Sequence, residues 1–191
     1  MDELNWWNNL EQQWKLAFGT VFFNHNNTPT AEELRRLHTT TVLRLVGSGA
    51  PYPNMDFHLT NLSGVQDLHQ LEILIVGFHQ LQSVEPLAAL TKLKSLFLFN
   101  NKIESLNGIE KLKELEQLYI QFNKINSLKP LQSLTRLKEV YVNNNNITSL
   151  EGLTEEHSER LEQFFCKPND GLKQKEIIYT ENQLGVRCRS L

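Results

Sequence analysis

Residues 93–103 read Leu93-Lys-Ser-Leu96-Phe-Leu98-Phe-Asn-Asn101-Lys-Ile103, and the arrangement returns with a period of 22. One period earlier stand Leu71, Leu74, Val76 and Leu81. One period later stand Leu115, Leu118, Ile120, Asn123 and Ile125, and then Leu137, Val140, Val142, Asn145 and Ile147. A second apolar set follows in each copy at fixed offsets, as in Leu106/Ile109/Leu112 and Leu128/Leu131/Leu134. Agreement at so many positions over four copies makes the period a property of the fold.

Counting from Leu71, Leu93, Leu115 and Leu137 as position 1, each position has a physical reason. Apolar residues at positions 4 and 6 are the period-2 signature of a short strand with one buried face. Position 9 is His79, Asn101, Asn123 or Asn145, where the chain must turn after the strand. A side-chain amide both donates and accepts, so stacked copies satisfy backbone groups that the turn would otherwise bury unpaired. The imidazole of His79 can do the same. Position 16 is Gly64, Pro86, Gly108, Pro130 or Gly152, a turn-former between apolar residues every time. One copy cannot hide its own leucines; copies stacked side by side share a core and form a parallel strand ladder.

The pattern Leu-x-x-Leu-x-Leu-x-x-Asn-x-Ile resembles the leucine-rich repeat, in the short 22-residue form of bacterial internalins. The resemblance covers residues 41–153 and implies an α/β repeat fold: a leucine-rich-repeat solenoid with its strands on a concave face. It also implies a bacterial, non-enzymatic protein-binding chain. The Trp-rich start of the sequence departs from the secreted members of that group.

Upstream of the four regular copies lies a degraded one. Leu59, Leu62, Val65 and Leu68 keep the second half of the repeat, and Val42-Leu-Arg-Leu45 supplies its strand. Between them, roughly nine residues from Gly47 to Met55 are extra. Gly47-Ser48-Gly49 lacks the Gly-Lys-Ser/Thr that a phosphate loop requires, so the reading is a flexible insertion.

Three segments follow: an N-terminal helical cap over 1–40, the repeats over 41–153, and a mixed C-terminal cap over 154–191. Solenoid ends need covers because they expose leucines and unpaired strand edges. Leu4, Trp7, Leu10, Trp14, Phe18 and Phe22 are spaced as one apolar face of a single helix. Thr30-Ala-Glu-Glu33 is a capping box that starts a second helix. Thr154 opens a helix expected to run to Phe165 and to turn Leu161, Phe164 and Phe165 inward. A helix over 173–183, a break at Gly185 and a strand over 186–189 complete that cap.

The formal charge of −3 is spread evenly: 41–153 carries ten basic and ten acidic residues. No basic stripe marks a nucleic-acid binder. The first residues lack a basic segment followed by an apolar one, and no apolar run reaches about 18 residues. The expectations are therefore a cytoplasmic chain and no membrane partner. The six histidines form no HxxxH pair, and Cys166 and Cys188 form no CxxC motif. No cofactor, metal or catalytic residue is expected. The two cysteines read as reduced thiols, with a disulfide as the alternative for an exported chain.

Strand residues pointing away from the core define the expected partner site. Position 3 gives Ile73, Ser95, Gln117 and Glu139; position 5 gives Ile75, Phe97, Tyr119 and Tyr141; position 7 gives Gly77, Phe99, Gln121 and Asn143. An apolar patch of Ile73, Ile75, Phe97 and Phe99 beside Tyr119 and Tyr141, rimmed by Gln117, Gln121, Glu139 and Asn143, has the composition of a protein interface. The alternative occupant is a second copy of the chain, in a homodimer. A remote third reading is an enzyme with a polar pocket between the insertion and the N-terminal helices.

Overall fold

Seven parallel strands stack in sequence order in the computed structural model, which describes residues 3–190. They are β1 (Val42–Val46), β2 (Ile73–Gly77), β3 (Ser95–Phe97), β4 (Gln117–Tyr119), β5 (Glu139–Tyr141), β6 (Gln163–Lys167) and β7 (Arg189–Ser190). Short 3-10 turns such as Glu85–Ala89, Ile109–Lys111 and Lys129–Ser133 form the return path. This is the leucine-rich-repeat solenoid expected from the period.

Register follows from the repeat. Ile73, Ser95, Gln117 and Glu139 are successive partners, each 22 residues from the last. The leucines at positions 1, 4 and 6 and those of the return path are fully buried in one continuous core. Position 2 adds a second register device that the period conceals. Glu72, Lys94, Glu116 and Lys138, each just before a strand, alternate in sign from one repeat to the next, with Lys94 2.8 Å from Glu72 and Lys138 2.7 Å from Glu116. A one-repeat slip would set like charges side by side.

The asparagine ladder is continuous. Asn123 accepts from the Ile103 N–H at 3.0 Å and donates to the Leu98 and Ile120 carbonyls at 2.9 and 3.1 Å. Asn101 and Asn145 make the equivalent bonds. At His79, Nδ1 accepts from Leu59 N–H and Nε2 donates to the Leu45 carbonyl, both at 3.2 Å. Asn101 reaches back 25 residues to Val76, whereas His79 reaches back 34 to Leu45, which measures the insertion as nine residues.

That insertion is tied down rather than loose. Asn54 accepts from Val46 N–H and donates to the Arg44 carbonyl, both at 2.7 Å. Met55 is buried in the core.

The N-terminal cap is not one helix. It consists of α1 (Glu3–Asn9), α2 (Gln12–Phe18), a π-type turn over Gly19–Phe23, and α3 (Ala31–Thr39) with the expected capping box. The break falls at Leu10–Glu11, and Glu11 is extended (φ −60°, ψ 149°). Its carboxylate accepts from Asn61 Nδ2 at 3.0 Å and from Ser63 Oγ at 3.1 Å, bonds to the first repeat that a continuous helix could not reach. Those contacts hold the Glu11 carboxyl below its usual range, the Asn61 bond foremost. With the helix broken, Trp6 and Trp14 donate to Asp67 (3.0 Å) and Asn61 (3.2 Å), while Leu4 is exposed.

The C-terminal segment holds the largest correction. The helix after Thr154 is one turn, α4 (Glu155–Ser158), and Gln163–Lys167 is a strand. Leu161-Glu-Gln-Phe164-Phe-Cys166-Lys-Pro-Asn169 is a sixth repeat, displaced because Gln163 follows its partner Glu139 by 24 residues instead of 22. Phe164 and Cys166 fill positions 4 and 6, and Asn169 continues the ladder by accepting from Asn145 N–H at 2.9 Å and donating to Cys166 O at 2.7 Å. Phe165 therefore faces away from the core. The unpaired edge of β5 outweighs the local helix signal, because pairing there satisfies a row of backbone groups. The helix expected over 173–183 is α5 (Gln174–Gln183), and the final strand is Arg189–Ser190. Cys166 and Cys188 are free thiols in mutual contact; the bond to Cys188 and burial push the Cys166 thiol up.

Candidate functional site: the open face of the strand ladder

Position 5 forms a row across the face turned away from the core: Arg44, Ile75, Phe97, Tyr119, Tyr141 and Phe165. Parallel pairing without a register shift places each ring beside the next. Ring centroids are 4.7 Å apart for Phe97–Tyr119, 4.2 Å for Tyr119–Tyr141 and 4.5 Å for Tyr141–Phe165. The row thus has four aromatics rather than three. Phe165 escaped the sequence reading because its repeat is out of phase, although Leu161, Phe164, Cys166 and Asn169 carried the signal.

Polar neighbours lock the row. The Tyr119 hydroxyl donates to the Glu139 carboxylate, and the Tyr141 hydroxyl donates to Gln163 Oε1 at 2.8 Å. Burial, and then Glu139, push the ionisation of Tyr119 above its ordinary value. Ser95 donates to Gln117 at 2.7 Å along position 3. These bonds tie adjacent repeats together and hold the rings in one orientation.

Of the residues expected at the site, Ile73, Ile75, Phe97, Phe99, Gln117, Tyr119, Gln121, Glu139 and Tyr141 share this face and are half-buried against one another. Asn143 is the exception. It is 1% exposed and cannot meet a partner without rearrangement. Gly77, with no side chain, leaves the room that Phe99 takes: a Cβ there would lie 2.4 Å from the Phe99 ring.

Position 8 adds what the periodicity left ambiguous. Phe78, Asn100, Phe122 and Asn144 all have left-handed backbone, with φ of 61°, 55°, 58° and 55°. Asparagine tolerates that region; phenylalanine pays strain of order 1 kcal/mol. Phe122 is 49% exposed, and Phe78 packs edge-on against Phe99 at 5.7 Å. Among the described residues, no cluster of three or more metal-ligating side chains occurs, and no helix is long and apolar enough to cross a membrane.

Comparison with known proteins agrees with this geometry. The leucine-rich-repeat family, in its two-copy form, matches residues 91–133 and 113–155. Among solved structures, a leucine-rich-repeat protein of Leptospira interrogans is similar over 85% of this chain and 40% of its own, at 24% identity and a TM-score of 0.65. The functional domain of InlJ from Listeria monocytogenes, described as including a cysteine ladder, is similar over 98% of this chain and 42% of its own (19% identity, TM-score 0.61). An internalin, InlF, from the same organism covers 61% of this chain and 37% of its own, at 23% identity and a TM-score of 0.54. At these identities the fold is what is shared. The chain spans about two-fifths of the length of these three proteins. No curated protein matches the sequence significantly. Repeats of this class generally mediate protein–protein interaction.

Proposed function

We propose that this leucine-rich-repeat solenoid, internalin-like in fold, is a non-catalytic module that binds a protein partner on its open strand face. The observation that carries the reading is the row Phe97–Tyr119–Tyr141–Phe165. Its rings are pre-ordered by stacking and by the Glu139 and Gln163 bonds, and they stay half-exposed on the face turned away from the core. Rigid aromatics lose little side-chain entropy on binding, which is why they dominate interface energetics. Cross-strand stacking alone contributes about 0.2–1 kcal/mol per pair and accounts for the tyrosines. It does not account for Ile73, Ile75 and Phe99 on the same face, or for a strained, half-exposed Phe122 beside it. We place such a module in the cytoplasm, and the even charge distribution disfavours nucleic acid as its ligand.

The test compares the wild-type chain with the Phe97→Ala/Tyr119→Ala double variant as immobilised bait. Loss of partner recovery with unchanged far-UV circular dichroism supports the reading, and equal recovery by both overturns it. Light scattering on the eluted chain over a wide concentration range separates the second occupant. A dimer that Phe97→Asp converts to monomer assigns the face to self-association.

A further inference from the structure

The nine-residue insertion does more than lengthen the first repeat. Ala50, Pro51 and Tyr52 stand over the strand face and, with Arg44, Ile75 and Phe97, line a solvent-open cavity of about 290 Å³. Val46, Phe78 and Phe99 complete its lining. The cavity sits at the end of the ladder where the aromatic row runs out and gives way to Ile75 and Arg44. Its volume falls just below the roughly 300–1,000 Å³ of small-molecule pockets. It accommodates one large side chain.

Two observations mark it as a place for a ligand group rather than a packing gap. The first is charge. Arg44 is the one ionic side chain in an otherwise apolar lining; it donates to the Tyr52 carbonyl, and no carboxylate among the described residues pairs with it. A guanidinium beside an apolar cavity is complementary to a carboxylate carried next to an apolar group. The second is cost. Phe78 lines the cavity from a left-handed position that repeats three and five fill with Asn100 and Asn144, and Phe99 does so only because position 7 of the neighbouring strand is Gly77. Phe122 carries the same cost on the open surface, and at Phe78 that cost sets a ring in the cavity wall.

We infer that this cavity is an anchor site, taking one aromatic side chain of an extended partner segment whose adjacent carboxylate is held by Arg44. The inference rests on the strand-face reading, from which the segment continues over the aromatic row. It adds the chemistry that selects the segment: an aromatic residue beside an acidic group or a C-terminal carboxylate.

The test uses N-acetyl-L-tryptophan and N-acetyl-L-tryptophanamide, which share a ring and differ in the carboxylate. Each is titrated into the isotope-labelled full chain and followed by NMR. Saturable shifts at Val46, Ala50 and Ile75 are expected with both, the acid binding about five- to ten-fold more tightly than the amide. Arg44→Gln is expected to remove that preference and Arg44→Lys to restore much of it, while Phe78→Asn, which keeps the backbone, weakens both probes. Equal affinity for acid and amide in the wild-type chain overturns the role of Arg44. Shifts confined to Tyr119 and Tyr141, or no shifts, overturn the anchor site while leaving the strand-face reading intact. That reading fails separately, if the Phe97→Ala/Tyr119→Ala variant recovers a partner as well as the wild type does.

Discussion

His79 Nε2 lies 3.2 Å from the Leu45 carbonyl, spanning 34 residues of sequence to do what Asn101 does for Val76 over 25. An imidazole replaces an amide at the one rung where nine extra residues intervene. The ring is the neutral tautomer with its proton on Nε2, because Nδ1 accepts from Leu59 N–H.

That geometry makes the rung sensitive to acid. Burial lowers His79 from 6.5 to about 4, so the unfolded chain binds its proton first as pH falls. The contribution of His79 is full above about pH 6.5 and declines until pH 4, by roughly 2–3 kcal/mol in total. His157, buried against the Leu131 carbonyl, is lowered too and acts in the same direction. Denaturant melts at pH 7, 5 and 4 should show a shallower loss for His79→Asn than for the wild type. Parallel curves would refute the assignment.

Gly64 serves space, not backbone freedom. A Cβ there would lie 2.1 Å from the fully buried Trp14 ring. Gly64→Ala is expected to lower the unfolding free energy by about 1–3 kcal/mol, and by less in a Trp14→Ala background, since the two share one contact. Additive effects in a double-mutant cycle would count against this packing.

Phe122→Asn should raise stability. The substitution removes an aromatic from a left-handed position and installs the residue found at Asn100 and Asn144. A gain of about 1 kcal/mol, a few degrees in Tm, is expected by calorimetry. If the ring belongs to the partner surface, the same variant loses partner recovery while gaining stability.

Asn169→Ala tests whether the displaced sixth repeat is structural. It strands the Asn145 N–H and the Cys166 carbonyl, and leaves the Val142 carbonyl with Asn145 as its one side-chain donor in the buried ladder. A loss of about 2–3 kcal/mol, matching Asn123→Ala, is expected. A loss below half of that would mean that the ladder effectively ends at Asn145.

Before any coordinates, the period of 22 dictated the solenoid, the buried faces, the asparagine ladder, the imidazole on its first rung and the size of the insertion. Each follows from patterns local to one repeat and repeated in register, where spacing along the chain maps directly onto spacing in space. The same arithmetic set Ile75, Phe97, Tyr119 and Tyr141 in one row. Only the tertiary structure decided the rest. Strand pairing at the open edge of β5 converted the expected helix into β6 and turned Phe165 outward. Hydrogen bonds from Asn61 and Ser63 to the Glu11 carboxylate broke the N-terminal helix. The insertion over Ile75 and Phe97 made a cavity from residues that lie 44 to 99 along the chain. These outcomes depend on which unpaired backbone edges and polar groups meet across the fold, and a period measured along the chain carries no record of such meetings.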